Sequence, residues 1–165
     1  MPDGSPRVWL AKRDDALDVA RLLVAFRDHL NQDWPPREAM FASVERLVDD
    51  PDTEYLLAAS APGAPPVGLV QLRYRWSVWR DSEDCLLEDL FVDRAARRNG
   101  LGRALVAATV ERARARGCRR IELDTAEVNG AALALYYAMG FDNDAYEGGR
   151  ALFLRRRLDS SGSRN

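Results

Sequence analysis

The sequence has very little histidine, cysteine and lysine, and each scarcity excludes a kind of site. It contains one histidine, His29, and two cysteines, Cys85 and Cys118. These three residues cannot form the ligand spacings of a structural zinc site or a disulfide framework, so we expect no metal. Lys12 is the single lysine. The Gly-Lys-Ser/Thr motif of P-loop nucleotide-binding proteins is therefore absent.

The chain also lacks a strong excess of charge and a long apolar run. With 24 basic and 26 acidic residues, its formal net charge is −2, which argues against a nucleic-acid partner. Its apolar runs are shorter than the ~20 residues that a membrane-spanning helix needs. The first residues lack the pattern of a signal peptide. We therefore expect a cytoplasmic protein with no membrane partner.

Hydrophobic periodicity and turn residues predict one domain over residues 1–165, with a core at about 7–158 and a disordered tail at 159–165. The pattern favours strands at 7–10, 54–59, 67–76, 86–92, 121–124 and 149–154, and helices at 16–30, 37–48, 100–116 and 129–139. This order predicts an α/β fold, with a mixed six- or seven-stranded central sheet flanked by about four helices. We expect the sheet to splay at its centre.

Arginines cluster around the end of the predicted central helix. They are Arg112, Arg114, Arg116, Arg119 and Arg120. Positive charge is favourable at the negative end of a helix dipole. We therefore interpret this cluster as a solvated helix face and end, without a ligand.

A glycine-containing loop joins the strand at 86–92 to this helix, with the sequence Arg97-Arg98-Asn99-Gly100-Leu101-Gly102. Glycine lets an anion approach the backbone, where the first N–H groups of a helix have no internal partner. The loop therefore suits phosphate or pyrophosphate. Turn geometry alone is the alternative explanation. A Rossmann site is disfavoured because this glycine pair follows about half the chain.

Together with Asn129, Leu135-Tyr136 and Gly140-Phe141 further on, this motif resembles the GNAT superfamily of acetyl-CoA-dependent N-acetyltransferases. Residues 87–92 look most like the diamine and polyamine branch of that superfamily. The resemblance implies an enzyme that transfers an acetyl group from acetyl-CoA to a primary amine, with a small cationic amine favoured. It also implies direct transfer in a ternary complex, and a homodimer is common among such proteins.

The resemblance also implies the roles of individual residues. Glu88 would be the general base, often through a water, and Tyr136 the general acid that protonates the leaving thiolate. A β-bulge near the end of the strand would free the main chain of Leu90 and Val92 for the pantetheine arm and the thioester carbonyl. The implied coenzyme-binding residues are Leu90, Phe91, Val92, Arg97, Arg98, Asn99, Gly100, Leu101, Gly102, Arg103 and Asn129.

Several alternatives stay open at this stage. In a regular strand the adjacent Glu88 and Asp89 point to opposite faces, and either could pair with Arg73 or Arg75. Tyr136 could be a core aromatic residue. The protein could be an acyl-CoA sensor or could act on protein amines. Some acidic residues could line a pocket for a cation or be ordinary surface charges; they are Asp33, Glu83, Glu88, Asp89, Asp124 and Glu127.

Overall fold

The structure, a computed structural model, describes residues 5–158 and contains two compact units. The chain passes from the first unit to the second between Leu123 and Asp124. The tail predicted at 159–165 lies outside the described residues, and the single-domain organisation stays a prediction. No helix within residues 5–158 is long and apolar enough to cross a membrane.

The first unit holds five strands and three α-helices, close to the predicted boundaries. The strands are β1 (Arg7–Leu10), β2 (Thr53–Ala59), β3 (Gly68–Ser77), β4 (Ser82–Val92) and β5 (Arg120–Glu122). The helices are α1 (Ala16–His29), α2 (Arg37–Leu47) and α3 (Leu101–Ala115), and the second unit contributes α4 (Gly130–Ala138).

The strands form one mixed sheet in the order β1-β2-β3-β4-β5. Neighbours from β1 to β4 are antiparallel, whereas β4 and β5 are parallel. The parallel pair follows from the sequence because α3 lies between the two strands and forms the crossover that parallel pairing requires. The predicted α/β class and the mixed sheet are confirmed.

Each face of the sheet is covered by different helices. On one face, apolar residues of α1 and Val44 of α2 form a core with Tyr55, Leu57, Leu69 and Phe91. Period-two alternation sends the intervening side chains to the other face, where α3 packs. There Leu105 approaches Gly68 so closely that a Cβ at Gly68 would lie 3.2 Å from Leu105 Cδ1.

Helix α3 ends at a glycine, as its sequence indicates. Gly117 has φ of +79° and donates its N–H to the carbonyl of Arg114 (2.9 Å), while Cys118 donates to Ala113 (2.9 Å). These two bonds form a Schellman motif, in which a left-handed residue satisfies the last carbonyls of the helix. The turn directs the chain into β5.

The predicted closing strand at 149–154 is wrong, and among residues 5–158 the sheet has five strands where six or seven were expected. Within the second unit, Asp144 and Arg150 form only an isolated bridge, closed by left-handed Gly148 and Gly149. Ala151 N donates to Asn143 O. Within residues 5–158, no strand follows Ala151. An apolar alternating sequence favours a strand, but pairing with a neighbour is what makes one.

The interpretation of the arginine cluster as a solvated surface is wrong for Arg112 and Arg116. Arg112 donates two hydrogen bonds to Glu54 of β2, and Arg116 forms a bidentate pair with Glu83 of β4 at 2.8 and 2.9 Å. Both guanidinium groups are half-buried or more. Arg114 does remain exposed. The acidic partners lie far away in sequence, so helix periodicity gives no sign of them.

Candidate active site

The β4 strand extends well beyond its pairing with β5. The parallel ladder ends at Leu86↔Glu122, while β4 continues to Val92. The backbone edge of residues 87–92 is therefore not occupied by β5. This loss of pairing, a splay of β4 from β5, lies at one side of the sheet order, and the splay predicted at the centre of the sheet stays a prediction.

A register shift interrupts β4 where the splay begins. Gln71 of β3 lies opposite Asp89, and the next residue, Leu72, lies opposite Leu87. Glu88 is therefore the extra residue of a β-bulge. The sequence pattern could not reveal this bulge, because an insertion of one residue leaves an apolar strand looking much the same.

The bulge reverses the faces that β4 side chains occupy. Cys85 lies on the α3 face, opposite Tyr74 in the β3–β4 ladder. Tyr74 donates to Glu54, which also binds Arg112 of α3. Phe91 lies on the α1 face, with its ring stacked on Phe26 at 5.2 Å between centroids. Residues six apart in a regular strand share a face, so the shift at Glu88 accounts for the reversal.

The bulge also brings two of the β4 carboxylates, Glu88 and Asp89, to one location. Glu88 Oε2 accepts a hydrogen bond of 2.9 Å from Gln71 Nε2, and Asp89 lies opposite Gln71 in the ladder. Burial raises the pKa of the Tyr55 phenol above its usual range, and the negative charges of Asp89 and Glu88 raise it further. A regular strand would point Glu88 and Asp89 to opposite faces, and the bulge removes that regularity.

The arginine alternatives can be checked individually. Arg75 Nη2 donates a hydrogen bond of 2.6 Å to Glu122 Oε1, and Arg73 Nη2 lies 3.9 Å from Asp50 Oδ2. Glu88 accepts from an amide and is exposed at the strand surface. The hydrogen bond to Glu88 thus comes from a neutral amide, which does not neutralise the negative charge of the carboxylate.

The loop after β4 delivers the chain to the start of α3. A 3-10 turn at Arg94–Ala96 is followed by Arg98 with φ of +65° and by Gly100 with φ of +77°. Gly100 is the N-cap, so the cap carries no side chain that could cover the first N–H groups. A Cβ added at Gly100 would meet nothing within 4 Å. The helix start is thus open to an anion.

Arginines surround this open helix start. Arg97, Arg98 and Arg103 are all exposed. Arg97 Nε donates to the carbonyl of Val92 at 2.9 Å, its Nη2 lies 3.2 Å from His29 Nε2, and its guanidinium lies over the Phe91 ring. The Arg97 side chain therefore attaches the loop to the end of β4 and of α1.

In the second unit, Asn129 and Tyr136 occupy the two ends of α4. Asn129 is the N-cap, and its Oδ1 accepts from Ala132 N at 3.3 Å. The Tyr136 ring packs 5.7 Å from that of Phe141 and is 7% exposed, whereas Tyr137 is 53% exposed. Burial, assisted by the charge of Asp124, raises the pKa of the Tyr136 phenol. Tyr136 is therefore a protonated donor at neutral pH.

The six acidic residues considered for a cation pocket do not share one environment. Glu83 pairs with Arg116, and Asp124 pairs with Arg155 at 3.2 Å. Asp33 and Glu127 are exposed surface residues. Within the first unit, Glu88 and Asp89 are the two that the bulge brings together.

Sequence reasoning missed Gln71 and Tyr55 as members of this site. Both are buried polar residues, at 6% and 2% exposure, and they lie opposite each other in the β2–β3 ladder. The alternating pattern places Gln71 with Arg73 and Arg75 on the polar side of its strand, so the sequence gives no sign that Gln71 is buried. A buried amide needs a hydrogen-bonding partner, but the sequence does not say which.

Comparison of this chain with known proteins agrees with the geometry of the site. A model of the acetyltransferase (GNAT) family matches residues 23–141. An aminoglycoside N(6')-acetyltransferase type 1 of Klebsiella aerogenes is 36% identical over 92 residues, which are 52% of this chain and 58% of that protein. A protein of the same name from Stenotrophomonas maltophilia is 28% identical over 131 residues, 78% of this chain and 82% of its own. The chain thus spans little more than half the length of the Klebsiella relative.

Solved structures agree with this assignment. A protein of Arthrobacter sp. FB24, provisionally described as an acetyltransferase, superposes with a TM-score of 0.82 and 30% identity over 93% of this chain and 96% of its own. The aminoglycoside N-acetyltransferase AAC(6')-Iy, solved with CoA, shares the fold with a TM-score of 0.71 at 24% identity, over 95% and 99% of the two chains. This chain belongs to the acetyltransferase (GNAT) family.

Proposed function

We propose that this protein transfers the acetyl group of acetyl-CoA to a primary amine of a small cationic acceptor, by direct attack in a ternary complex. The observation that carries the proposal is the bulged, splayed half of β4. There Glu88 and Asp89 lie beside a backbone edge that β5 does not occupy, and the next helix begins with open N–H groups. Amine deprotonation, carbonyl polarisation and anion binding therefore have candidate groups along one stretch of chain.

The coenzyme would be held by the chain from Leu90 to Arg103. The pyrophosphate suits the N–H groups at the start of α3, where the helix dipole and the exposed arginines favour negative charge. The pantetheine arm and the thioester carbonyl suit the main chain of Leu90, Phe91 and Val92 beyond the β5 ladder. The family resemblance implies that Asn129, the cap of α4, would also contact the coenzyme.

The proton transfers would be shared between two residues. Glu88 takes the proton that the amine nitrogen loses as the nitrogen–carbon bond forms, directly or through a water. Tyr136 gives its phenolic proton to the sulfur as the carbon–sulfur bond breaks. The raised pKa of the Tyr136 phenol, caused by burial and by Asp124, keeps that proton available at neutral pH.

The charge at the bulge limits the chemical class of the acceptor. Glu88 and Asp89 lie together at the bulge, and two carboxylates favour an acceptor that carries further positive charge. Aminoglycosides fit this description, and two relatives are named for acetylating them. The diamine and polyamine branch, indicated by residues 87–92, has the same charge character and stays a prediction, as do a homodimer and a cytoplasmic location.

A panel of amines tests the proposal. Sisomicin, which is bound by one structural neighbour, is compared with spermidine, putrescine and a peptide with a free N-terminus, each with acetyl-CoA and a thiol reagent. We expect thiol release that depends on a polycationic amine. Preference for the peptide would favour protein acetylation. Tight acetyl-CoA binding with no amine-dependent release would favour the sensor alternative.

A further inference from the structure

Gln71 is a buried polar side chain on the face of the sheet that carries the core formed with α1 and α2. It is 6% exposed and lies between Tyr55 of β2 and Asp89 of β4 in the two ladders. The same face carries Leu69 and Phe91, which belong to the core formed with α1 and α2. A buried amide is costly unless its donors are satisfied. Its presence here calls for an explanation beyond packing.

The amide of Gln71 is directed at Glu88. Nε2 donates to Glu88 Oε2 at 2.9 Å. Glu88 is the residue that the β3–β4 register skips, so regular ladder pairing does not fix its position as it does for its neighbours. The buried and therefore well-ordered Gln71 supplies the restraint that the bulge removes.

We propose that Gln71 is a positioning residue for Glu88, and this inference rests on the proposed role of Glu88 as the base. By holding one carboxylate oxygen, Gln71 fixes the plane of the carboxyl group and leaves the second oxygen for the proton of the attacking amine. A carboxylate can accept at both oxygens. Because the amide is neutral, it orients the base and leaves the negative charge of the carboxylate in place. An arginine partner would neutralise that charge.

The test separates positioning from packing. Gln71→Met keeps the length of the side chain and removes its donors. We expect kcat with the best amine to fall by about ten- to a hundredfold, because small misplacements of a catalytic group are costly. The KM for acetyl-CoA should not change. Gln71→Asn, which keeps an amide but is too short to reach Glu88, should show the same split and serves if the methionine variant does not fold.

Val70→Ala is the matched control. Val70 is fully buried on the same strand and, by alternation, on the opposite face. The alanine variant should lower the melting temperature while leaving kcat and both KM values close to those of the parent. A loss of kcat in Val70→Ala equal to that in Gln71→Met would assign the effect to packing and overturn the proposal.

A double-mutant cycle with Glu88→Gln identifies the residue through which Gln71 acts. In the Glu88→Gln background, Gln71→Met should cause no further loss of kcat. A further loss of the same factor would show that Gln71 acts independently of Glu88. If kcat falls in Glu88→Gln but is unchanged in Gln71→Met, Glu88 keeps its proposed role as the base and only the positioning role of Gln71 fails. If the parent acetylates no amine, or Glu88→Gln is fully active, the base assignment fails and the inference fails with it.

Discussion

At the scale of single residues, the candidate chemistry depends on the environments of neighbouring side chains. Tyr136 and Tyr137 are adjacent, but one is 7% exposed and the other 53%. Helix geometry separates successive side chains by about 100°, so only one of the two tyrosines can be enclosed. Burial raises the pKa of Tyr136, which keeps the phenol protonated and able to donate.

Replacing Tyr136 by phenylalanine removes one hydroxyl and preserves the ring packing against Phe141. If Tyr136 protonates the departing thiolate, turnover should fall on the order of tenfold or more while acetyl-CoA still binds. Steady-state kinetics combined with calorimetry of acetyl-CoA binding measure the two effects separately. Tyr137→Phe is the control and should be nearly silent. If the Tyr137 variant loses turnover instead, the general acid has been assigned to the wrong residue.

At the scale of elements, α3 performs different tasks at its two ends. Its start is capped by left-handed Gly100 and is open to an anion. Its end is closed by the turn at Gly117 and by the ion pairs of Arg112 and Arg116. The helix therefore carries a proposed ligand site at one end and a structural anchor at the other.

Gly102→Asp tests the proposed site at the start of α3. The substitution adds bulk and negative charge at the second residue of the helix, beside the N–H groups that would hold the pyrophosphate. We expect CoA affinity to fall severely in calorimetry. The control is Ala107→Asp, which places the same charge on an exposed position of the same helix and should bind CoA as the parent does. Unchanged affinity in a folded Gly102→Asp protein would locate the site elsewhere.

At the scale of the first unit as a whole, an ion-pair cluster links the sheet to α3. Glu54 accepts from Arg112 and from the Tyr74 hydroxyl, and the guanidinium of Arg116 lies 3.7 Å from the Tyr74 ring centroid. Burial alone would raise the pKa of the Glu54 carboxyl, but hydrogen bonds from Arg112 and Tyr74 outweigh it and the pKa is lowered. The hydrogen bond from Arg80 likewise lowers the pKa of Asp84.

From this cluster we predict that the folded protein loses stability in acid. In the unfolded chain these carboxyls titrate near ~4. Because their pKa values are lower in the folded protein, their stabilisation is complete above that pH and is lost as the pH falls through the folded values. Urea unfolding should therefore give a declining free energy of unfolding below about pH 4.5.

Glu54→Gln measures the share of one residue in this acid sensitivity. At pH 7 we expect the free energy of unfolding to fall by about 1–3 kcal/mol, because the partly buried Arg112 loses its anionic partner, whereas Arg116 keeps Glu83. The decline of stability in acid should become shallower. Glu111→Gln removes a carboxylate from the exposed pair with Arg114 and should change stability little. Equal effects of the two substitutions would show that burial of the cluster is unimportant.

The sequence by itself determined the elements and much of the family assignment. Strand alternation, the apolar stripe of α1, and the glycines at 100 and 117 are local signals with local causes. The element boundaries from β1 to α4 therefore agree with the structure to within a few residues. The closing strand failed because a strand depends on a distant partner as well as on its own composition.

Tertiary structure alone decided how the site is arranged. The one-residue shift at Glu88 brings two carboxylates together and sets Gln71 beside them, and it depends on the pairing of two strands. The burial of Arg112 and Arg116 likewise depends on Glu54 and Glu83, which lie far away in sequence. Local sequence encodes backbone preference and periodicity. Register, burial and charge pairing arise only when distant segments meet, because their energies belong to contacts between segments.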